Sequence, residues 1–108
     1  MRTAQEIAAS YNRMLLNIYY GEDSEYPTLE DYFDSLGYGL DYIVSSENWQ
    51  SRNPTPTGVS ILLAGGGPTV WLNTSDGMIY ASDSSSVAGV GLFSEVRDEI
   101  NNLYEVEY

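Results

Sequence analysis

A chain of 108 residues with 43% apolar content can build one hydrophobic core, and its length fits a single domain spanning residues 1–108. It has no cysteine and no histidine, and its four basic residues are all arginines, so disulfides, thiolate-ligated zinc and most general-base, nucleophilic or Schiff-base catalysis are excluded. Sixteen acids set the net charge at −12, which repels nucleic acid and anionic membrane and attracts cationic surfaces.

The N-terminal stretch reads as a helix from Thr3 to Tyr20. "TAQE" is a capping-box pattern with Thr3 as cap and Glu6 placed to return a bond. Ile7, Tyr11, Met14, Leu15 and Ile18 recur at helical spacing, and Gly21 supplies a stop. Glu6, Ser10, Asn12, Arg13 and Asn17 break any apolar run, so this is part of the fold and not a signal peptide. No run approaches the roughly 18 apolar residues of a membrane span, and the expectation is a soluble, intracellular protein.

A second helix is expected from Leu29 to Leu36, capped by Thr28 and ended by Gly37, with Leu29, Tyr32, Phe33 and Leu36 as its apolar stripe. From there the period changes to two. "LDYIV" (40–44), "VSILLA" (59–64), "TVWLN" (69–73) and "MIYAS" (78–82) read as strands. The polar loop "SSENWQSRNPTPTG" separates the first two, and "GGGP" (65–68) turns between the second and third. "TSDG" closes the last hairpin, with Gly77 taking the positive φ. "SSSVAGVG" (84–91) is either a loop or a short edge strand. "SEVRDEINNLYEVEY" ends the chain as a helix capped by Ser94, with Val96, Ile100 and Leu103 or Tyr104 inward. The expected class is α+β: an antiparallel meander of about four strands, with N-terminal helices and a C-terminal helix packed on one face.

Each chemical motif meets a plainer reading. "AGGGPT" has the glycines of a phosphate loop but lacks its lysine, and a strand follows where a helix should. "NTSDG" and "EDSE" resemble calcium loops only in part, without the spaced ligands and terminal glutamate such loops need, and the first fits a hairpin better. A paired-carboxylate mechanism is open in principle, but nothing singles out two acids as buried together. No enzyme activity, metal or cofactor is therefore expected.

Charge distribution is more informative. Glu22, Asp23, Glu25, Glu30, Asp31, Asp34 and Asp41 have no basic residue among them, because none occurs between Arg13 and Arg52. Tyr19, Tyr20, Tyr26 and Tyr38 lie beside or within this stretch and can supply contact area at an interface. Tyr11, Tyr32, Tyr42, Tyr80 and Tyr104 fall at inward or half-buried positions instead. Glu95, Asp98 and Glu99 on the closing helix form a second acidic patch, continued by Glu105 and Glu107 against Arg97 alone. A rigid surface studded with carboxylates can occupy the lysine- and arginine-lined groove of a nucleic-acid-binding protein, competing with the polymer's phosphates.

Size, acidity, absence of cysteine and the helix-and-meander pattern resemble the small anti-CRISPR and antirestriction proteins of phages and other mobile elements, many of which mimic DNA. "LAGGGPTVWLNTSDGMIYA" (63–81) is similar to a segment of small mobile-element proteins; it is a strand, turn and strand and carries no catalytic residues. The resemblance implies a cytoplasmic inhibitor, in the bacterial host cell, of a CRISPR or restriction nuclease. It implies no direct contact with nucleic acid or membrane. The alternative is a non-catalytic adaptor domain that binds a protein through the sheet or through Trp49, with acidity serving solubility only.

Overall fold

In the computed structural model, residues 3–22, 25–37, 39–43, 56–83 and 86–106 are described. The elements run α1 (Ala4–Tyr19), α2 (Leu29–Leu36), β1 (Leu40–Ile43), β2 (Gly58–Ala64), β3 (Thr69–Asn73), β4 (Met78–Ser82), β5 (Val87–Gly91) and α3 (Ser94–Leu103). The strands form one antiparallel sheet in the order β1-β2-β3-β4-β5. The class is α+β as expected, with five strands among the described residues instead of four. The additional strand is "VAGVG", whose two glycines obscure its alternation. Gly89 pairs with Tyr80, and a side chain there would bring a Cβ within 2.8 Å of the tyrosine ring.

Pairing sorts the sheet residues into two faces. Leu40, Ile61, Leu72, Ile79 and Val90 form one cross-strand row, and Val59, Leu63, Val70 and Ala81 share that face. Most of it is buried under the helices, where Leu15, Ile18, Leu29, Phe33, Val96 and Ile100 complete the core. Burying each such side chain contributes about 1.5–3 kcal/mol relative to leaving it in water.

α1 begins as expected: Thr3 Oγ1 accepts the Glu6 amide at 3.1 Å and donates to the Glu6 carboxylate at 3.2 Å. Leu15 and Ile18 are buried as expected, but the rest of the deepest stripe is Ala4, Ala8, Asn12 and Leu16, and the expected Ile7, Tyr11 and Met14 are half-buried flanks packed on the core. Small alanines let the helix approach β4 and β5 closely, which turns the larger residues to its sides. Asn12 is carried inward with them and donates from Nδ2 to the Gly91 carbonyl at 2.9 Å.

The α1 terminus is a Schellman motif: Glu22 N–H donates to Asn17 O and Gly21 N–H to Ile18 O, with Gly21 at φ 74°. α3 ends in the same way without a glycine. Val106 N–H donates to Asn101 O at 2.8 Å, Glu105 N–H to Asn102 O at 3.3 Å, and Glu105 takes φ 57°. The expected continuous helix thus stops at Leu103, because the left-handed residue turns Val106 back into the core. At the other end Ser94 is not the cap. Phe93 caps through its carbonyl, which accepts the Arg97 amide, and Ser94 Oγ donates to the Glu95 carboxylate.

One corner joins sheet to helix. Thr74 is fully buried in the β3–β4 turn, and its Oγ1 accepts the Val59 amide at 2.8 Å while its own amide bonds Val59 O. Arg97 donates from Nε to Thr74 O at 2.8 Å and from Nη2 to Ser75 O at 3.1 Å. The turn lies so close to β2 that a Cβ on Gly58 would sit 2.5 Å from the Ser75 amide nitrogen.

Gly58→Ala is therefore expected to destabilise the fold by about 1–3 kcal/mol through backbone overpacking. Gly65→Ala, whose Cβ meets only a Leu62 methyl at 3.7 Å, should be neutral to slightly stabilising. Glu105→Gly should raise the unfolding free energy by about 1 kcal/mol by relieving the left-handed backbone. Urea denaturation of the three variants checks all of these.

Candidate interaction surfaces

Helical and strand periodicity divide the predicted acidic residues between two sides of the molecule. Glu30, Asp31 and Asp34 project from α2 and are exposed, as are Glu22 and Glu25 on the connection before it. Glu95 and Glu99 are half-buried on α3 and Asp98 is exposed. Asp23, Tyr38 and Trp49 lie outside the described residues.

The two acidic stretches meet on the helix layer. Tyr20 Oη donates to Glu95 Oε2 at 2.9 Å, linking the end of α1 to the start of α3. Glu99 lines a shallow depression of about 140 Å³ together with Tyr19, Thr28 and Leu29, which brings α3 against the start of α2. At the far end of α2, the ring of Tyr104 lies 6.5 Å from that of Phe33, and Glu30 and Asp34 are its closest acidic influences. Residues about 70 positions apart in sequence thus share one surface, as the 75-residue separation of the Tyr20–Glu95 bond illustrates.

Ionisation equilibria record this crowding. The Tyr20 phenol is raised above its ordinary value of 10.0 by its hydrogen bond to Glu95, by the charge of that group, and further by Glu22. Tyr104 is raised by burial first and then by Asp34 and Glu30. Glu95 is lowered from 4.5 by its own backbone amide, with further help from Tyr20 and Ser94 hydroxyls.

The placement of charge along the helices is unfavourable at three points. Acids in a first turn suit the positive helix end, as Glu6, Glu30, Asp31 and Glu95 do. Asp34 sits in the last turn of α2, and Glu22 and Glu105 follow the ends of α1 and α3. No last turn carries a basic residue. Each misplaced carboxylate opposes the helix dipole by about 0.3–1 kcal/mol at low ionic strength.

The tyrosines divide differently from the sequence expectation. Tyr19 and Tyr20 are exposed, at 38% and 57%, and pack edge to face with centroids 5.1 Å apart. Tyr26, expected as an anchor, is half-buried with its ring edge-on to buried Tyr32. Tyr42, expected inward or half-buried, is 53% exposed: short β1 forms the sheet edge, and Tyr42 Oη donates to the Tyr104 carbonyl at 3.5 Å. Tyr11, Tyr80 and Tyr104 are half-buried as expected.

Asp41 departs from its sequence neighbours. It pairs with Ser60, in the row continued by Asn73 and Met78, and so lies on the sheet face opposite the helices. On the same face Leu62, Trp71 and Tyr80 form a second row, with the Trp71 and Tyr80 rings stacked at 5.4 Å and 22°. Tyr80 is held by its hydroxyl, which donates to Asp76. The motif "NTSDG" is a turn that uses its own oxygens: Asn73 Oδ1 accepts the Ser75 and Asp76 amides, and Asp76 Oδ1 accepts that of Met78. The signal for this aromatic face was present in the alternation of "TVWLN" and "MIYAS", since Trp71 and Tyr80 hold the positions out of phase with the core.

Among the described residues no helix is long and apolar enough to cross a membrane. No protein-family model matches the chain, and no curated protein or solved structure matches it.

Because the lowered Glu95 is a carboxylate favoured in its charged form, its stabilising contribution is complete above the ordinary carboxylate range and is lost as pH falls through the native value. In Tyr20→Phe the Glu95 midpoint, followed by carboxyl NMR titration, should rise part of the way toward 4.5 while staying below it, since the backbone amide remains.

Proposed function

We propose that this protein is a small non-catalytic inhibitor of a bacterial defence nuclease, foremost a CRISPR effector, and that it occupies the enzyme's basic nucleic-acid groove through the acidic outer surface of its helix layer. The observation that carries the reading is the junction of two distant acidic stretches on that layer, around Tyr20–Glu95 and Glu99–Thr28. Carboxylates presented from packed helices offer fixed negative charge to a groove lined with lysine and arginine, in place of phosphates.

Energetics support a use for this charge beyond solubility. Acids at the C-terminal helix ends oppose the dipoles, and a net charge of −12 adds self-repulsion. A surface meeting a cationic groove recovers both terms on binding, since the partner's charges replace the missing counter-charges. Tyr19 and Tyr20 supply aromatic contact area beside Glu22 and Glu95, the combination typical of interface anchors. Such a protein would act in the cytoplasm of the bacterial host cell, making no direct contact with nucleic acid.

Capture of purified CRISPR and restriction nucleases by the immobilised protein tests the reading. The expected result is retention of a nuclease that DNA displaces, with affinity falling roughly tenfold or more between about 50 and about 200 mM salt. Combined Glu30→Lys, Asp31→Lys and Asp34→Lys should abolish capture and nuclease inhibition while the circular dichroism spectrum is retained. Capture insensitive to both salt and DNA, or a folded triple variant that inhibits normally, would overturn the assignment.

A further inference from the structure

The sheet face opposite the helices carries a groove of about 330 Å³ that the proposed nuclease contact does not use. Its lining combines Asp41 from β1, Ser60 and Leu62 from β2, and Thr69 and Trp71 from β3. We infer that this groove is a binding site for an arginine side chain of a partner protein, with the guanidinium stacked on Trp71 and paired to Asp41.

Four observations select that ligand. First, Tyr80 stacks on the Trp71 indole from the β4 side, with its hydroxyl fixed by Asp76. The groove lies on the opposite, β2 side of Trp71, where Leu62 is its cross-strand neighbour and lines the groove with it. Second, Asp41 stands at the opposite side, exposed, and its carboxylate makes no hydrogen bond or ion pair among the described residues. Third, Asp41 pairs with Ser60 and Trp71 with Leu62, so the two lie diagonally across β2, about 12 Å apart along the backbone, and a long side chain lying over Ser60 and Leu62 reaches both. Fourth, among the described residues no cation lines the groove, and the described arginines, Arg13 and Arg97, both belong to helices.

The chemistry narrows the choice further. An anion would meet the Asp41 charge. An apolar group would strip water from that carboxylate and from the Ser60 and Thr69 hydroxyls without replacing its hydrogen bonds. A guanidinium satisfies all of these: its delocalised, weakly hydrated plane stacks on an indole, and its N–H fork meets a carboxylate with two parallel bonds. A lysine ammonium reaches the same carboxylate but is a compact, strongly hydrated charge that stacks poorly. The site is independent of the acidic helices, which lie across the sheet from it.

The test is a titration of the uniformly ¹⁵N-labelled chain with N-acetyl-arginine amide, N-acetyl-lysine amide and the neutral isostere N-acetyl-citrulline amide, followed by two-dimensional NMR. The arginine probe should shift the Trp71 indole and the Leu62 and Thr69 amides in a saturable way, with a dissociation constant in the millimolar range. The lysine probe should bind at least about threefold more weakly, and citrulline should produce no saturable shift. Asp41→Asn, a change at an exposed side chain, should weaken the arginine probe at least about fivefold. The variant carrying lysine at positions 30, 31 and 34 should bind it as the unaltered chain does, which separates this site from the nuclease contact. Equal binding of arginine and lysine, no saturable shift with arginine, shifts centred on α2 and α3, or an Asp41→Asn variant that binds normally would each overturn the proposal.

Discussion

The architecture depends on how closely α1 approaches the sheet. Ala4 and Ala8 place almost no bulk between the helix and β4–β5, and α2 and α3, which meet each other around Phe33–Tyr104 and Thr28–Glu99, complete the cover. This commits most of one face of the sheet to the core, with Tyr42 at the β1 edge left exposed. All three helices lie on that side, and their polar surfaces therefore merge into one outer layer. The opposite face has no helix on it and retains the side chains that alternate out of phase with the core.

That division makes the charge distribution intelligible. With the helices confined to one layer, every helical acid must point outward from the same side, and their mutual repulsion cannot be diluted around the molecule. Tyr20 and Tyr104 sit at the seams of this layer, the first raised in its ionisation by its hydrogen bond to Glu95 and the second by burial and then by Asp34 and Glu30. Arg97 is directed instead toward the carbonyls of Thr74 and Ser75, where it ties α3 to the β3–β4 turn. A basic residue thus serves a backbone corner, while exposed acids crowd the outer surface of the helix layer.

Much of the fold was legible in local chemistry. Thr3 with Gly21 and Thr28 with Gly37 bracket two helices, and "TSDG" with its terminal glycine marks the central hairpin. The misses arose where a tertiary constraint replaced a local signal. Glu105 occupies a left-handed position that normally advertises itself as glycine, so the end of α3 was hidden. Ser94 looks like a cap, but the entry of Phe93 from β5 shifts the cap back by one residue. Asn12 and Asn101 are buried polar residues that no amphipathic pattern would select. Asp41 was grouped with the α2 acids because it is near them in sequence. The switch from a 3.6-residue to a two-residue period between Leu36 and Leu40 sends it to the other side of the sheet. The joining of the two acidic stretches likewise required the packing of α3 against α1, which sequence spacing does not encode.

The bond from Asn12 to the carbonyl of Gly91 bears on the order in which the chain can fold. It spans 79 residues, and α1 as a whole finds its principal neighbours in β4 and β5. A helix forms within microseconds, yet the strands that cover most of its apolar stripe begin only at Met78. At a synthesis rate of about 5–20 residues per second, that interval is about 3–12 s in a cell. During it the nascent chain carries an uncovered amphipathic segment, only marginally helical on its own, followed by the dense negative charge of residues 22–34. Like-charge repulsion between neighbouring nascent chains then opposes premature association at the stage when the apolar stripe is uncovered. The acidic stretch thus follows directly on the helix whose main covering strands are made last.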